Sequence, residues 1–395
     1  MRKKAFLCAS VLTLVVVVWR GHAQTQKAQL STADQSQKSQ QDMMWRHQVT
    51  DIIATTRKIV SPNGIETLLP LQINRSTQWL SIRGKDRRNP ILLFLHGGPG
   101  SPTMPVDYTF QTPWEDYFTI VQWDQRGAGK TFTSNDPKAL APSMTIEQMT
   151  KDAEDVVRYL QKQYGKGKIF LLGHSWGSVL GVALAQRHPE WFYAYLGVGQ
   201  MVNMRKNEEE GYQFALDQAK SHHNGEAERE LLALAPYPGE LTFDRIGVQR
   251  KWLMFYGGLT YGRTDFSYDG NARLLSPDYT QEDLAVVDKG SLYSVTRLLG
   301  PLEAVDYQPV TEFKCPVFLF EGRHDFAVSH TLAEEWFKHI VAPSKKLVWF
   351  DNSAHMMMQE EPGRFLYHLI SDLRPLAVES GDAAPYSDDE AARRQ

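Results

Sequence analysis

Cysteine is almost missing from this chain, with only Cys8 and Cys315 among 395 residues. A disulfide-stapled fold is thereby excluded, because Cys8 lies in an apolar run near the start that reads as removable and leaves a single thiol behind. Cys315, just ahead of a strand pattern, reads as an inert buried thiol. No block of basic residues interrupts a balance of 43 Lys and Arg against 46 Asp and Glu, so nucleic acid is a poor partner. Histidines and acids do not fall at ligand spacings such as His-Glu-x-x-His; neither a metal nor any other cofactor is expected. The apolar run Ala5 to Trp19 is shorter than the roughly 20 residues of a spanning helix, so no stable membrane anchor is expected. It follows the basic Met1-Arg-Lys-Lys4 and leads to Gly21-His-Ala23, which predicts a signal peptide over 1–23, cleaved after Ala23, and a secreted or periplasmic protein. Cys8 sits in the middle of that run rather than at its end, which argues against a lipoprotein anchor.

Residues 24–44 are polar and rich in Gln, Ser, Ala and Lys, and 379–395 are charged without apolar periodicity; the first reads as a flexible linker, the second as a disordered tail. Between them the pattern predicts an α/β core in two parts, 45–198 and 307–378. Asp51 to Leu71 and Gln78 to Arg83 read as opening strands, with Ser61-Pro-Asn-Gly64 as a turn between two of them. Ile91 to Leu95 and Ile169 to Leu172 read as buried strands, and Phe118 to Trp123, Trp191 to Val198, Val317 to Phe320 and Lys346 to Phe350 as further strands. Helical spacing separates several of them, as in Thr145 to Tyr164, where Thr145 and Gln148 form a candidate capping box. Alternating strands and helices argue for a mainly parallel, doubly wound sheet. Residues 199–306 break that rhythm with helical patterns and aromatic clusters, and read as an inserted helical cap.

One stretch organises the chemistry. In Lys168-Ile-Phe-Leu-Leu-Gly-His-Ser-Trp-Gly-Ser-Val-Leu-Gly181 a strand stops, turns through Ser175 and continues as a helix. Gly173 and Gly177 stand two positions either side of Ser175, where side chains would collide if the chain reversed sharply enough to lift the hydroxyl out of the sheet. A serine hydroxyl needs a base to become nucleophilic and an acid to orient the base. Asp325 and His355 supply these in the order Ser, Asp, His, each just past a predicted strand end, and parallel strands bring those ends to one edge. The backbone N–H of Trp176 and that of Gly98, preferred over Gly97 in His96-Gly-Gly-Pro-Gly100, are the expected oxyanion donors. Asp351 is a rival acid; His96, His174 and His324 read as structural neighbours of the motifs, and Arg126 as a buttress of the site by hydrogen bonds. Gly129-Lys-Thr131 lacks the first glycine of a phosphate loop.

His96-Gly-Gly-Pro-Gly100, Asp124-Gln-Arg-Gly-Ala-Gly129, Gly173-His-Ser-Trp-Gly-Ser178, Gly322-Arg-His-Asp325 and Ser353-Ala-His355 together resemble the motif set of prolyl iminopeptidase-like α/β-hydrolases. The resemblance spans the sheet region on both sides of the insertion. It implies an α/β-hydrolase fold, a helical cap over the serine, and release of N-terminal proline from short peptides, with acidic cap residues holding the free amine. The cap shows no segments matching the family's amine-binding glutamates, and Glu208-Glu-Glu210 reads equally as a solvated helix face. The expected activity is a serine hydrolase acting on small-molecule or short-peptide amides. A carboxylesterase or lactonase with the same triad and a non-catalytic binding protein are the alternatives. Epoxide hydrolases and haloalkane dehalogenases attack with a carboxylate, and Ser175 argues against both.

Overall fold

The computed structural model describes residues 32–385. The expected signal peptide, the first residues of the expected linker (24–31) and the end of the expected tail (386–395) lie outside the described residues. Eight strands form one sheet: β1 (Ile65–Ile73), β2 (Ser76–Gly84), β3 (Ile91–Leu95), β4 (Thr119–Asp124), β5 (Ile169–His174), β6 (Phe192–Val198), β7 (Val317–Gly322) and β8 (Lys345–Phe350). Their spatial order is β1-β2-β4-β3-β5-β6-β7-β8. β1 pairs antiparallel with β2 and β2 with β4; every other pairing is parallel.

Side chains alternate across a strand, so a sheet covered on both faces needs apolar residues at consecutive positions. Leu93, Leu95, Ile169, Leu171, Val317 and Leu319 enter one core. Their neighbours Leu92, Phe94, Phe170, Leu172, Phe318 and Phe320 enter another on the opposite face. The first core is closed by α2 (Ile146–Tyr164) and α3 (Trp176–Arg187), the second by Phe365, Leu369 and Leu373 from the C-terminal helices. Thr145 caps α2 by accepting the Gln148 N–H at 3.1 Å, but Gln148 spends its own amide on Asp152, so only half of the expected capping box forms.

Three segments depart from the sequence reading. An α-helix, α1 (Thr32–Thr56), occupies most of the expected linker and the start of the first expected strand. Long-range partners fix it: Arg46 donates to the carbonyls of Leu274, Ser276 and Tyr279, and buried Arg57 pairs with Asp107 at 2.9 Å. The reversal between β1 and β2 is Asn74-Arg75, both at positive φ as a two-residue hairpin demands, whereas Ser61–Gly64 precedes β1. The expected disordered tail is in part folded: Tyr193 donates to Asp382 at 3.0 Å, Lys166 pairs with the same carboxylate, and Arg374 donates to the Ala384 carbonyl.

Between β6 and β7 the chain is helical: α4 (Met204–Ser221), α5 (Gly225–Leu232), α6 (Phe243–Phe255), α7 (Ser267–Leu274) and α8 (Gln281–Glu303). It leaves and re-enters the core at one point, where Asn203 and Asp306 form an antiparallel bridge.

Candidate active site

Consecutive strands lie on opposite sides of the β3–β5 junction, so the crevice beyond their C-terminal ends is the place where an open α/β sheet binds ligands. Ser175 stands there, half-buried, at φ 56° and ψ −122° between β5 and α3. That conformation is strained for a residue with a Cβ. Its flanks permit it: a Cβ at Gly173 would lie 2.6 Å from the Gly177 carbonyl oxygen, and one at Gly177 2.0 Å from that of Leu95. Backbone bonds pin the turn, from Ser175 N–H to the Val198 carbonyl (3.0 Å) and from Ser178 N–H to the Ser175 carbonyl (2.9 Å).

Asp325 follows β7 and is fully buried. A buried carboxylate is costly unless its lone pairs are filled. Here Oδ1 accepts the N–H groups of Ala327 (3.0 Å) and Val328 (2.8 Å), and Oδ2 lies 2.7 Å from His355 Nδ1. With the carboxylate as acceptor, Nδ1 carries the proton and Nε2 keeps the lone pair a base requires. His355, after β8, lines the same cavity as Ser175.

Gly199, after β6, makes this pairing possible and had no sequence signal of its own. It adopts φ +55°, and a Cβ there would lie 2.9 Å from His355 Nδ1 and 3.1 Å from Asp325 Oδ2. Gly199→Ala is therefore expected to push the imidazole off its carboxylate and lower kcat about 100-fold with the chain still folded, which steady-state kinetics beside a melting curve would check.

The expected oxyanion segments lie against the serine. A Cβ at Gly97 would come within 3.1 Å of Ser175 Cβ, and Gly98 sits at φ +114° in the same loop. Gln125, which the sequence reading passed over in favour of Arg126, ties the two donor segments together. Its Nε2 donates to the His96 carbonyl (3.0 Å) and its Oε1 accepts the Trp176 indole N–H (2.9 Å). Arg126 instead turns away, held by Asp152 at 2.7 and 3.0 Å, because that buried carboxylate is its charge partner.

The neighbouring histidines are structural. His96 Nδ1 donates to the Gly97 carbonyl (2.9 Å), so its Nε2 is the acceptor for the Gln125 N–H (3.3 Å). Burial lowers its pKa to about 4, and that of His174, which contacts the His355 carbonyl at 3.0 Å, to about 3; both rings stay neutral. The His324 ring stacks on Tyr261 of the cap. Asp351 is exposed and pairs with Arg323 and Arg364, so it does not compete for His355. Lys130 joins core to cap by pairing with Asp283 at 2.5 Å.

The cap closes a cavity of about 210 Å³ over Ser175, lined by apolar side chains including Met204, Ile246, Met254, Phe266 and Leu299. Its polar wall carries Arg250, Asp269, Arg273 and Asp288. Arg273 donates to Asp269 (3.0 Å) and pairs with Asp288 (3.2 Å). Arg250 is paired with Glu208, which is fully buried and also accepts the Tyr237 hydroxyl. Glu208 is thus no part of a solvated face, in contrast to exposed Glu209, because α4 turns it toward the guanidinium of α6. On the wall itself Asp269 and Asp288 balance Arg273 and Arg250, and Glu208 lies behind it against Arg250.

Residues 90–362 match a family model described as the alpha/beta hydrolase fold. A probable aminopeptidase of Bacillus subtilis is 30% identical over 308 residues, which cover 78% of this chain and 96% of the relative. A proline iminopeptidase of Neisseria gonorrhoeae is 41% identical over 99 residues, 25% of this chain and 29% of the relative. The crystal structure of proline iminopeptidase from Mycobacterium smegmatis superposes with a TM-score of 0.57 at 18% identity, covering 80% of this chain and 100% of that one.

Proposed function

The chain belongs to the alpha/beta hydrolase fold family, and from that premise we propose that it is a serine hydrolase of the aminopeptidase kind, releasing N-terminal proline or a similar residue from short peptides. The observation that carries the reading is the 2.7 Å contact of His355 Nδ1 with Asp325, in a cavity that His355 shares with Ser175. In this reaction His355 Nε2 takes the Ser175 proton as the oxygen attacks the scissile carbonyl, and Asp325 stabilises the imidazolium. The N–H groups of Trp176 and Gly98 receive the negative oxygen of the tetrahedral intermediate. Collapse of that intermediate breaks the C–N bond; the leaving amine takes the proton from His355, and water then hydrolyses the acyl-serine by the same route in reverse.

Asp269, a carboxylate on the polar wall of the cavity, would hold the substrate's free ammonium, a contact that an aminopeptidase needs and a plain esterase does not. Asp269→Asn should raise KM for L-proline p-nitroanilide about tenfold or more, the worth of a charge-assisted hydrogen bond, while leaving a p-nitrophenyl acyl ester unaffected. Assaying the two substrates side by side on the unmodified enzyme tests the function itself; turnover of the ester alone defeats the peptidase reading. Export is proposed on the basic, apolar and small-residue order of residues 1–23, and N-terminal sequencing of the mature protein, expected to begin at Gln24, would test it.

A further inference from the structure

The cap does more than roof the cavity. Its loop between α6 and α7 is built into the two turns that carry Asp325 and His355. The Gly258 carbonyl accepts the N–H groups of Phe326 (2.9 Å) and Ala327 (3.1 Å), and the Leu259 carbonyl accepts the N–H of His355 itself (3.0 Å). One side chain closes the circuit. Glu360 Oε1 accepts the Tyr261 N–H from the cap (2.6 Å), while its Oε2 accepts the N–H of Ala354, the residue before His355 (2.8 Å). The adjacent Glu361 takes the Asn352 N–H (3.0 Å) and the Ser353 hydroxyl (2.8 Å), so it holds the base of the histidine loop but does not reach the cap. Glu360 is itself absent from the cavity wall, although its neighbours Met358 and Gln359 line it.

We propose that Glu360 is a positioning residue that couples the cap segment 258–261 to His355; the proposal rests on the Ser175–His355 reading above. Two backbone donors from different parts of the chain converge on one carboxylate, which accepts from both at once. An amide offers one oxygen and turns an NH₂ toward the other donor, so one of the two bonds is lost and the histidine loop is free to shift. A shift of about 1 Å at a reacting group costs about 100-fold in rate.

The test is a double-mutant cycle on the full chain, with Glu360→Gln, His355→Ala and the combined variant assayed on L-proline p-nitroanilide and checked for folding by thermal melting. Glu360→Gln is expected to lower kcat about 10- to 100-fold with KM nearly unchanged, and to cause no further loss when His355 is already Ala. Equal losses in both backgrounds, unchanged kcat, or a raised KM at constant kcat would each overturn the proposal. Should the amide variant fail to fold, Glu360→Asp takes its place in the same cycle, since it keeps both acceptor oxygens but draws them back from their donors. Full activity of His355→Ala alone would instead sink the Ser–His reading, so the two failures are distinguishable.

Discussion

Replacing Ser175 with alanine should abolish turnover, with kcat down about 10⁴- to 10⁶-fold, and should leave the melting temperature within a few degrees. The expectation of an intact fold is specific. The hydrogen bonds that pin residue 175 run through its backbone N–H and carbonyl, to Val198 and Ser178, and the alanine keeps both. The strained φ of 56° is imposed by the same bonds and by the glycine flanks, so the variant inherits the turn without the nucleophile. A fluorophosphonate probe should label the parent chain at one site and the variant not at all. Unchanged hydrolysis would refute the assignment of Ser175 outright.

Asp325→Asn carries the second large effect, about 10⁴-fold in kcat, through a tautomer rather than a lost group. Oδ1 already serves two backbone donors, so an asparagine keeps its oxygen there and turns its NH₂ toward His355. The imidazole then accepts at Nδ1 and carries its proton on Nε2, where no lone pair remains to take the serine proton. The helix that follows keeps its backbone contacts, so near-native melting beside the rate loss is the expected pair of results. Loss of the fold with the activity would mean that Asp325 chiefly anchors its own turn.

The places of these two residues and of His355, each just past a strand end, were legible in the sequence because their signal is local: a strand pattern, a turn and a chemically competent side chain within a few positions, repeated in the required order. All six strands from Ile91 onward match the structure to within one residue at their starts and two at their ends, because apolar runs packed into a sheet leave little ambiguity. Other residues carry meaning only through distant partners. Gly199 looks like any loop glycine until His355 and Asp325, over 120 positions later, arrive beside it. Gln125 sits next to the arginine expected to buttress the site by hydrogen bonds, yet only the fold shows which of the two faces Trp176. The polar residues of Thr32–Thr56 give no amphipathic stripe, and that helix is held by guanidinium contacts to carbonyls more than 220 positions away. Glu208 reads as surface because its neutralising Arg250 lies on another helix.

The junction at Asn203 and Asp306 bears on engineering. A module whose ends meet invites wholesale exchange, since a foreign roof could in principle be spliced between the same two positions without disturbing the sheet. The stitches from Gly258, Leu259 and Tyr261 into the base and acid turns set the condition for such a chimera. A donor roof that lacks an equivalent loop would arrive with its binding pocket but leave the recipient's imidazole unsupported, so designs that swap selectivity in this scaffold should transplant everything except that short loop.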